Sequence, residues 1–174
     1  EALLKTAGII LIIFSGTGLG LCKSMELGCR VRILENLFRI LLLLKGEIRC
    51  TGASLEDAFS DIALKMSGEY RAFLEEVAEN LGKRQGITFG TIFCHCARKN
   101  LPMNRLSLEE QQCFLSLGEK LGYLDREMQV GQLELLEEEM RDRIKALKAA
   151  MPQKKKLYQS MGILGGIFLA VLFW

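Results

Sequence analysis

The chain has 174 residues, of which 23 are basic and 21 acidic, so its formal net charge is only +2. This near balance argues against a nucleic-acid-binding protein, which needs a dominant basic field. The sequence has a single His and no Gly-rich phosphate loop after a strand. We therefore expect neither an enzyme with a small-molecule substrate nor a protein with a bound cofactor or catalytic metal.

Two segments without charged residues, 6–22 and 157–174, lie at the ends of the chain. A helix rises about 1.5 Å per residue, so each segment gives roughly 26 Å of helix, the short end of a membrane-spanning length. We predict transmembrane helices at 3–22 and 157–174, with one domain at 23–156 between them. A cleaved signal peptide is the alternative for the first segment, but no small-residue cleavage site follows it.

Basic residues flank the central domain at both of its ends. They are Lys23, Arg30 and Arg32 after the first predicted span, and Lys145, Lys148 and residues 154–156 before the second. On the far side of the first span there is only Lys5. The positive-inside rule therefore places the central domain in the cytoplasm and both termini on the opposite side of the membrane.

Each predicted span carries two glycines four residues apart, Gly16 and Gly20 in the first and Gly162 and Gly166 in the second. On a helix such a pair lies on one face and allows a neighbouring backbone to approach closely, which predicts a helix-packing surface. The simpler interpretation is that glycine is common in membrane helices.

Helical periodicity recurs along the middle of the chain, and no stretch shows sustained strand alternation. The pattern predicts an all-α fold, a cytoplasmic bundle of about six helices whose first and last members continue into the two predicted spans. The first apolar stripe runs from Leu34 to Ile48, and a break follows at residues 51–53. Ser54 is expected to cap the second helix, whose apolar face extends to Met66.

Turn and cap signals bound the remaining helices. A third helix is predicted at 70–82 and a shorter fourth at 88–98. Ser107 and Glu110 have the spacing of a capping box for the fifth helix. Asp125 is expected to cap the last and longest helix, whose charged faces are expected to lie in solvent.

One cluster in the sequence suggests a metal site or reactive thiols, namely Cys94, His95 and Cys96. Zinc sites usually combine one closely spaced ligand pair with a second pair elsewhere, which the other cysteines do not provide. Residues two apart on a helix point about 200° away from each other, so the two thiols diverge. A small membrane metal or redox protein is the alternative hypothesis, and reduced structural thiols are the simpler interpretation.

Gly118 and Gly122 lie one helical turn apart, and each costs about 1 kcal/mol relative to Ala inside a helix. A sequence carries that cost where another backbone packs closely or where the helix ends. One interpretation is therefore a C-cap at Gly122 with internal packing at Gly118. The other is a partner surface that these glycines form with Asp125 and Gln129.

Over essentially its whole length the sequence resembles the stage III sporulation protein AB family of endospore-forming bacteria. The resemblance is carried by residues 44–48 (LKGEI), 54–63 (SLEDAFSDIA), 117–129 (LGxxLGxxDxxxQ) and the tail 158–166. None of these is a catalytic signature, so the resemblance rests on pattern and architecture together.

This resemblance implies a subunit of the channel complex that links mother cell and forespore, located in the mother cell membrane around the forespore. The resemblance also implies a distant similarity to the inner-membrane platform proteins of type II secretion and type IV pilus systems. The resemblance therefore implies a non-enzymatic scaffold that docks a cytoplasmic secretion-type ATPase and other channel subunits. Its partner surface would include Gly118, Gly122, Asp125 and Gln129, and the surroundings of Glu47.

Overall fold

The fold is that of a computed structural model, which describes residues 2–52, 54–83, 86–122 and 124–172. Within these ranges the chain forms six α-helices, one 3₁₀ helix and no strand, which confirms the predicted all-α class. The elements are α1 Ala2–Thr51, α2 Leu55–Ala63, α3 Gly68–Gly82, α4 Phe89–Asn100, a 3₁₀ helix Met103–Arg105, α5 Leu108–Leu121 and α6 Arg126–Leu172.

Side-chain caps fix where the middle helices begin. The Ser54 hydroxyl accepts a hydrogen bond from the backbone N–H of Asp57 at 3.2 Å. The capping box at α5 is complete, because Ser107 Oγ accepts from the Glu110 N–H at 3.3 Å and Glu110 Oε2 accepts from the Ser107 N–H at 2.8 Å. Thr88 caps α4 in the same way. Each cap satisfies donors that a helix N-terminus leaves without partners.

The chain divides into two compact units, residues 32–144 and residues 1–31 with 145–174. In the second unit the backbone of 2–31 and 145–172 is helical and belongs to α1 and α6. The helices of the described part of the chain include none that is long and apolar enough to cross a membrane. For most residues of the predicted spans 3–22 and 157–174 the structure describes the backbone alone. The helix-packing surfaces expected at Gly16, Gly20, Gly162 and Gly166 therefore lie outside what is described and stay a prediction.

The core of the 32–144 unit is built on the predicted α1 stripe and on an aromatic cluster. Of the predicted stripe, Leu34, Leu37, Leu41, Leu44 and Ile48 are buried, and so are Ile33 and Ile40 of the same helix. Helix α3 packs against both α2 and α4, and α4 packs against α5. The aromatic cluster consists of Phe59, Phe73, Phe89, Phe93 and Phe114. Phe93 of α4 lies at its centre, with ring centroids 5.3 to 6.2 Å from those of the other four.

Two local features differ from the sequence prediction. Helix α2 ends at Ala63 rather than near Met66, because the N–H groups of Lys65 and Met66 bond to carbonyls three residues back and tighten the last turn. Met66 is nevertheless buried. A 3₁₀ helix follows Pro102, a connection whose three-residue length leaves no periodicity to read.

The expectation that the charged faces of α6 lie in solvent is wrong for Glu137. Glu137 is only 8% exposed, and its carboxylate pairs with Lys45 of α1 and with Arg141 of α6. The Arg141 guanidinium also lies over the Phe38 ring, 5.8 Å from the centroid. A carboxylate between two cations can be buried because both charges compensate the loss of hydration.

Candidate functional site at the α5–α6 corner

Gly118 lies buried where α5 crosses α4. A Cβ atom built on it would fall 2.9 Å from Cβ and Cδ1 of Phe93, closer than real side chains approach. From the other helix, a Cβ on Gly90 would lie 3.2 Å from the Gly118 carbonyl oxygen. The two helices therefore meet through glycines, and internal packing accounts for Gly118.

We expect Gly118→Ala to destabilise the protein by about 2 kcal/mol, because the added methyl group overpacks against Phe93 and outweighs the higher helix propensity of Ala. Urea unfolding followed by circular dichroism measures the change. Gly131→Ala is the matched control, since its Cβ would have no atom within 4 Å. The control should stabilise the protein by about 0.5–1 kcal/mol. Equal effects of the two substitutions would contradict the packing role.

Gly122 is the C-cap of α5, as one interpretation of the sequence held. Its φ of −68° is open to any residue, so the backbone conformation does not require glycine. A Cβ at this position would lie 3.2 Å from the Cβ of Phe89. The requirement for a small residue comes from the close approach of α4.

We call the place where the end of α5 meets the start of α6 the α5–α6 corner. Asp125 and Gln129 cap the two helices that meet there. Asp125 Oδ1 accepts a hydrogen bond from the Met128 N–H at 2.9 Å, which confirms it as the cap of α6. Gln129 Nε2 donates to the Leu121 carbonyl at 3.0 Å, one of the carbonyls that the end of α5 leaves without a helical partner. The pattern over 117–129 thus closes the turn from α5 into α6 by its own hydrogen bonds.

Arg126 also contributes to the α5–α6 corner, although no sequence pattern predicts its role. Its Nε donates to the Ile48 carbonyl at 2.9 Å and its Nη2 to the Arg49 carbonyl at 2.6 Å, so a cation caps the negative C-terminal end of α1. Gly52, which follows α1 with a φ of +65°, leaves room for the guanidinium, since a Cβ there would lie 3.0 Å from Nη1. The only local sequence signal for this contact is Gly52, which follows the end of α1.

Glu47 lies one residue before Ile48, one of the two residues whose carbonyls bind Arg126, and its carboxylate pairs with Lys65 after α2. The Glu47 side chain is 12% exposed. All five residues expected to form a partner surface, Glu47, Gly118, Gly122, Asp125 and Gln129, therefore make contacts within the chain. Their role toward a partner stays a prediction.

The Cys94, His95 and Cys96 side chains do not converge on one point. Cys94 Sγ lies 3.8 Å from the Leu115 carbonyl, whereas the buried Cys96 Sγ lies 3.8 Å from Asn80 Nδ2. Burial raises the pKa of both thiols, which disfavours the thiolate that metals and thiol chemistry need. The described residues contain no group of three or more side chains that could hold a metal ion.

Beside this cluster an open groove of about 830 Å³ runs along α4, with Arg98, Lys99 and Glu119 among its lining residues. At its edge the Glu76 carboxylate accepts hydrogen bonds from Lys99 Nζ and Asn100 Nδ2, both at 2.7 Å. These bonds, that from Lys99 first, lower the pKa of Glu76 below its usual 4.5. The contact ties α3 to the end of α4.

We expect the Glu76 contact to stabilise the protein above about pH 4.5 and to be lost as the pH falls through its lower folded-state pKa. Glu76→Gln should therefore lower stability at pH 7 and flatten the decline in stability as the pH falls below about 4.5. Urea unfolding at a series of pH values measures this. Glu75→Gln is the control, because Glu75 forms only an exposed pair with Arg71. A decline equally steep in both variants would contradict the assignment.

Comparisons with known proteins agree with this architecture. The family model for stage III sporulation protein AB matches residues 5–174. A solved structure of stage III sporulation protein AB superposes with a TM-score of 0.61 at 22% identity, covering 73% of this chain and 97% of that one. At this identity the superposition supports the fold alone. No curated protein matches the chain. The family match covers nearly the whole sequence, so the chain belongs to the stage III sporulation protein AB family and has a role in sporulation.

Proposed function

We propose that the protein is a non-enzymatic membrane platform of the channel complex between mother cell and forespore. The observation that carries this proposal is the family match over residues 5–174. The matched range includes both uncharged end segments as well as the helical middle. The proposed platform docks a cytoplasmic secretion-type ATPase on its central domain and other channel subunits in the membrane.

The order of the helices supports the proposed anchoring. The uncharged segment 6–22 falls in α1, and residues 157–172 of the second uncharged segment fall in α6. These same helices supply core residues to the 32–144 unit. In the proposed arrangement the chain crosses the mother cell membrane at 3–22 and 157–174, and residues 23–156 lie in the cytoplasm. The basic residues at the ends of the central domain support this orientation.

Affinity capture from sporulating cells tests the platform role. The full chain carries a tag, the membranes are solubilised, and mass spectrometry identifies the proteins that co-purify. We expect enrichment of a secretion-type ATPase and of channel subunits over an unrelated two-span membrane protein with the same tag. Recovery of neither, from a properly inserted chain, would contradict the proposal.

Thiol labelling tests the orientation. Cys50 is exposed at the end of α1, so a membrane-impermeant maleimide should reach it only after the mother cell membrane is permeabilised. A Cys50→Ser variant identifies the signal that belongs to this residue. Labelling of Cys50 in intact cells would contradict a cytoplasmic central domain.

A further inference from the structure

Between residues 127 and 138, the side of α6 opposite the core carries exposed apolar and acidic side chains. Met128 and Leu135 are 58% and 61% exposed, and they lie seven residues apart on the same side of the helix. Gly131 lies between them, and a Cβ there would meet no atom within 4 Å. We call Glu127, Met128, Gly131, Glu134, Leu135 and Glu138 the α6 outer face.

The charges of the outer face are acidic. Glu127, Glu134 and Glu138 are exposed and lie beside the apolar residues on the helix surface. Glu127 and Glu138 form no ion pair within the described part of the chain, while Glu134 lies 4.0 Å from Arg49, a contact between two exposed side chains. The cations nearest in sequence do not neutralise them, because Arg126 binds carbonyls of α1 and Arg141 pairs with Glu137.

We propose that the α6 outer face binds a basic amphipathic helix of a partner protein. Two exposed apolar residues one heptad apart supply anchors, and the open position at Gly131 allows close approach of a second helix. The carboxylates on one side select Lys or Arg on the partner and disfavour an anionic lipid surface. This inference rests on the proposed platform function and gives it a surface distinct from the internally bonded α5–α6 corner.

The test places a photo-crosslinking amino acid at Met128 of the full chain in sporulating cells, and mass spectrometry identifies the crosslinked peptide. The expected peptide belongs to another protein, has a net positive charge, and carries apolar residues at spacings of three and four. Leu135→Lys and Glu138→Lys should each reduce the crosslinking yield by about tenfold or more. Circular dichroism checks that both variants remain folded.

Two substitutions elsewhere on the surface serve as matched controls. Leu64 is 74% exposed at the end of α2, so Leu64→Lys matches Leu135→Lys, and the exposed Asp61 gives Asp61→Lys as the match for Glu138→Lys. Both controls should leave the crosslinking yield unchanged.

The proposed surface is wrong if the crosslinked peptide is acidic or uncharged, comes from a second copy of this chain, or is replaced by lipid. Unchanged yields in Leu135→Lys and Glu138→Lys, or no crosslink at all, also overturn it. Affinity capture of the channel subunits by the wild-type chain is a separate experiment, which tests the platform function independently of this surface. If capture succeeds while the crosslink fails, the platform function stands and only this surface is rejected.

Discussion

Phe93→Ala is expected to destabilise the protein by about 4 kcal/mol, a large fraction of the stability of an ordinary domain. The Phe93 ring is fully buried and lies within 5.3 to 6.2 Å of four other aromatic rings, centroid to centroid. Its removal opens a cavity between α4 and three neighbouring helices that cannot close without moving their backbones. Urea unfolding of the full-length protein measures the loss.

Two further variants separate this cost from a general effect of substitution. Leu64→Ala removes an exposed side chain and should change stability by no more than about 0.5 kcal/mol. Gly118→Ala combined with Phe93→Ala should cost less than the sum of the single changes, because the clash with Phe93 Cδ1 disappears. Additive costs would show that Gly118 and Phe93 act independently.

Features that depend on neighbours in sequence were predicted well. The caps at Ser54, Ser107 and Asp125 lie where the sequence placed them, because a cap is a contact over two or three residues. The apolar stripe of α1 was likewise predictable, since the helical period alone decides which residues share a face.

For the glycines of the α5–α6 corner, the sequence does not identify the neighbour that packs against them. The spacing of Gly118 and Gly122 indicates that something packs closely, but it does not say whether the neighbour belongs to the same chain. The answer depends on Phe93 and Phe89, which lie some 25 to 33 residues earlier and reach the glycines only once α4 folds against α5. No local pattern carries that information.

Charged residues with distant partners were the hardest to predict. Arg126 bonds to carbonyls 77 and 78 residues away, and Glu137 pairs with Lys45, 92 residues away. A charged residue on an amphipathic helix is usually solvated, so the sequence favours solvent for both. The pairing becomes visible only when α1 and α6 are placed side by side within the 32–144 unit.

Glu137→Ala is the second substitution with a large expected effect, a loss of about 3 kcal/mol. Glu137 bridges Lys45 of α1 and Arg141 of α6, and the Lys45 side chain is only 21% exposed. Without the carboxylate, Lys45 keeps a partly desolvated charge that has no counterion in this contact. Urea unfolding measures the change, with Glu138→Ala as the exposed control on the same helix.

Replacing both partners distinguishes the removal of a pair from the removal of one member. In Lys45→Met with Glu137→Met the charges disappear together, and apolar side chains fill a similar volume between α1 and α6. Most of the lost stability should return, because a buried ion pair contributes little beyond the cost of desolvating its charges. A loss below about 1 kcal/mol in Glu137→Ala would instead identify the contact as a solvent-screened surface pair. In that case the burial of Glu137 would not be what joins α1 to α6, and the apolar residues of the two helices would hold them together alone.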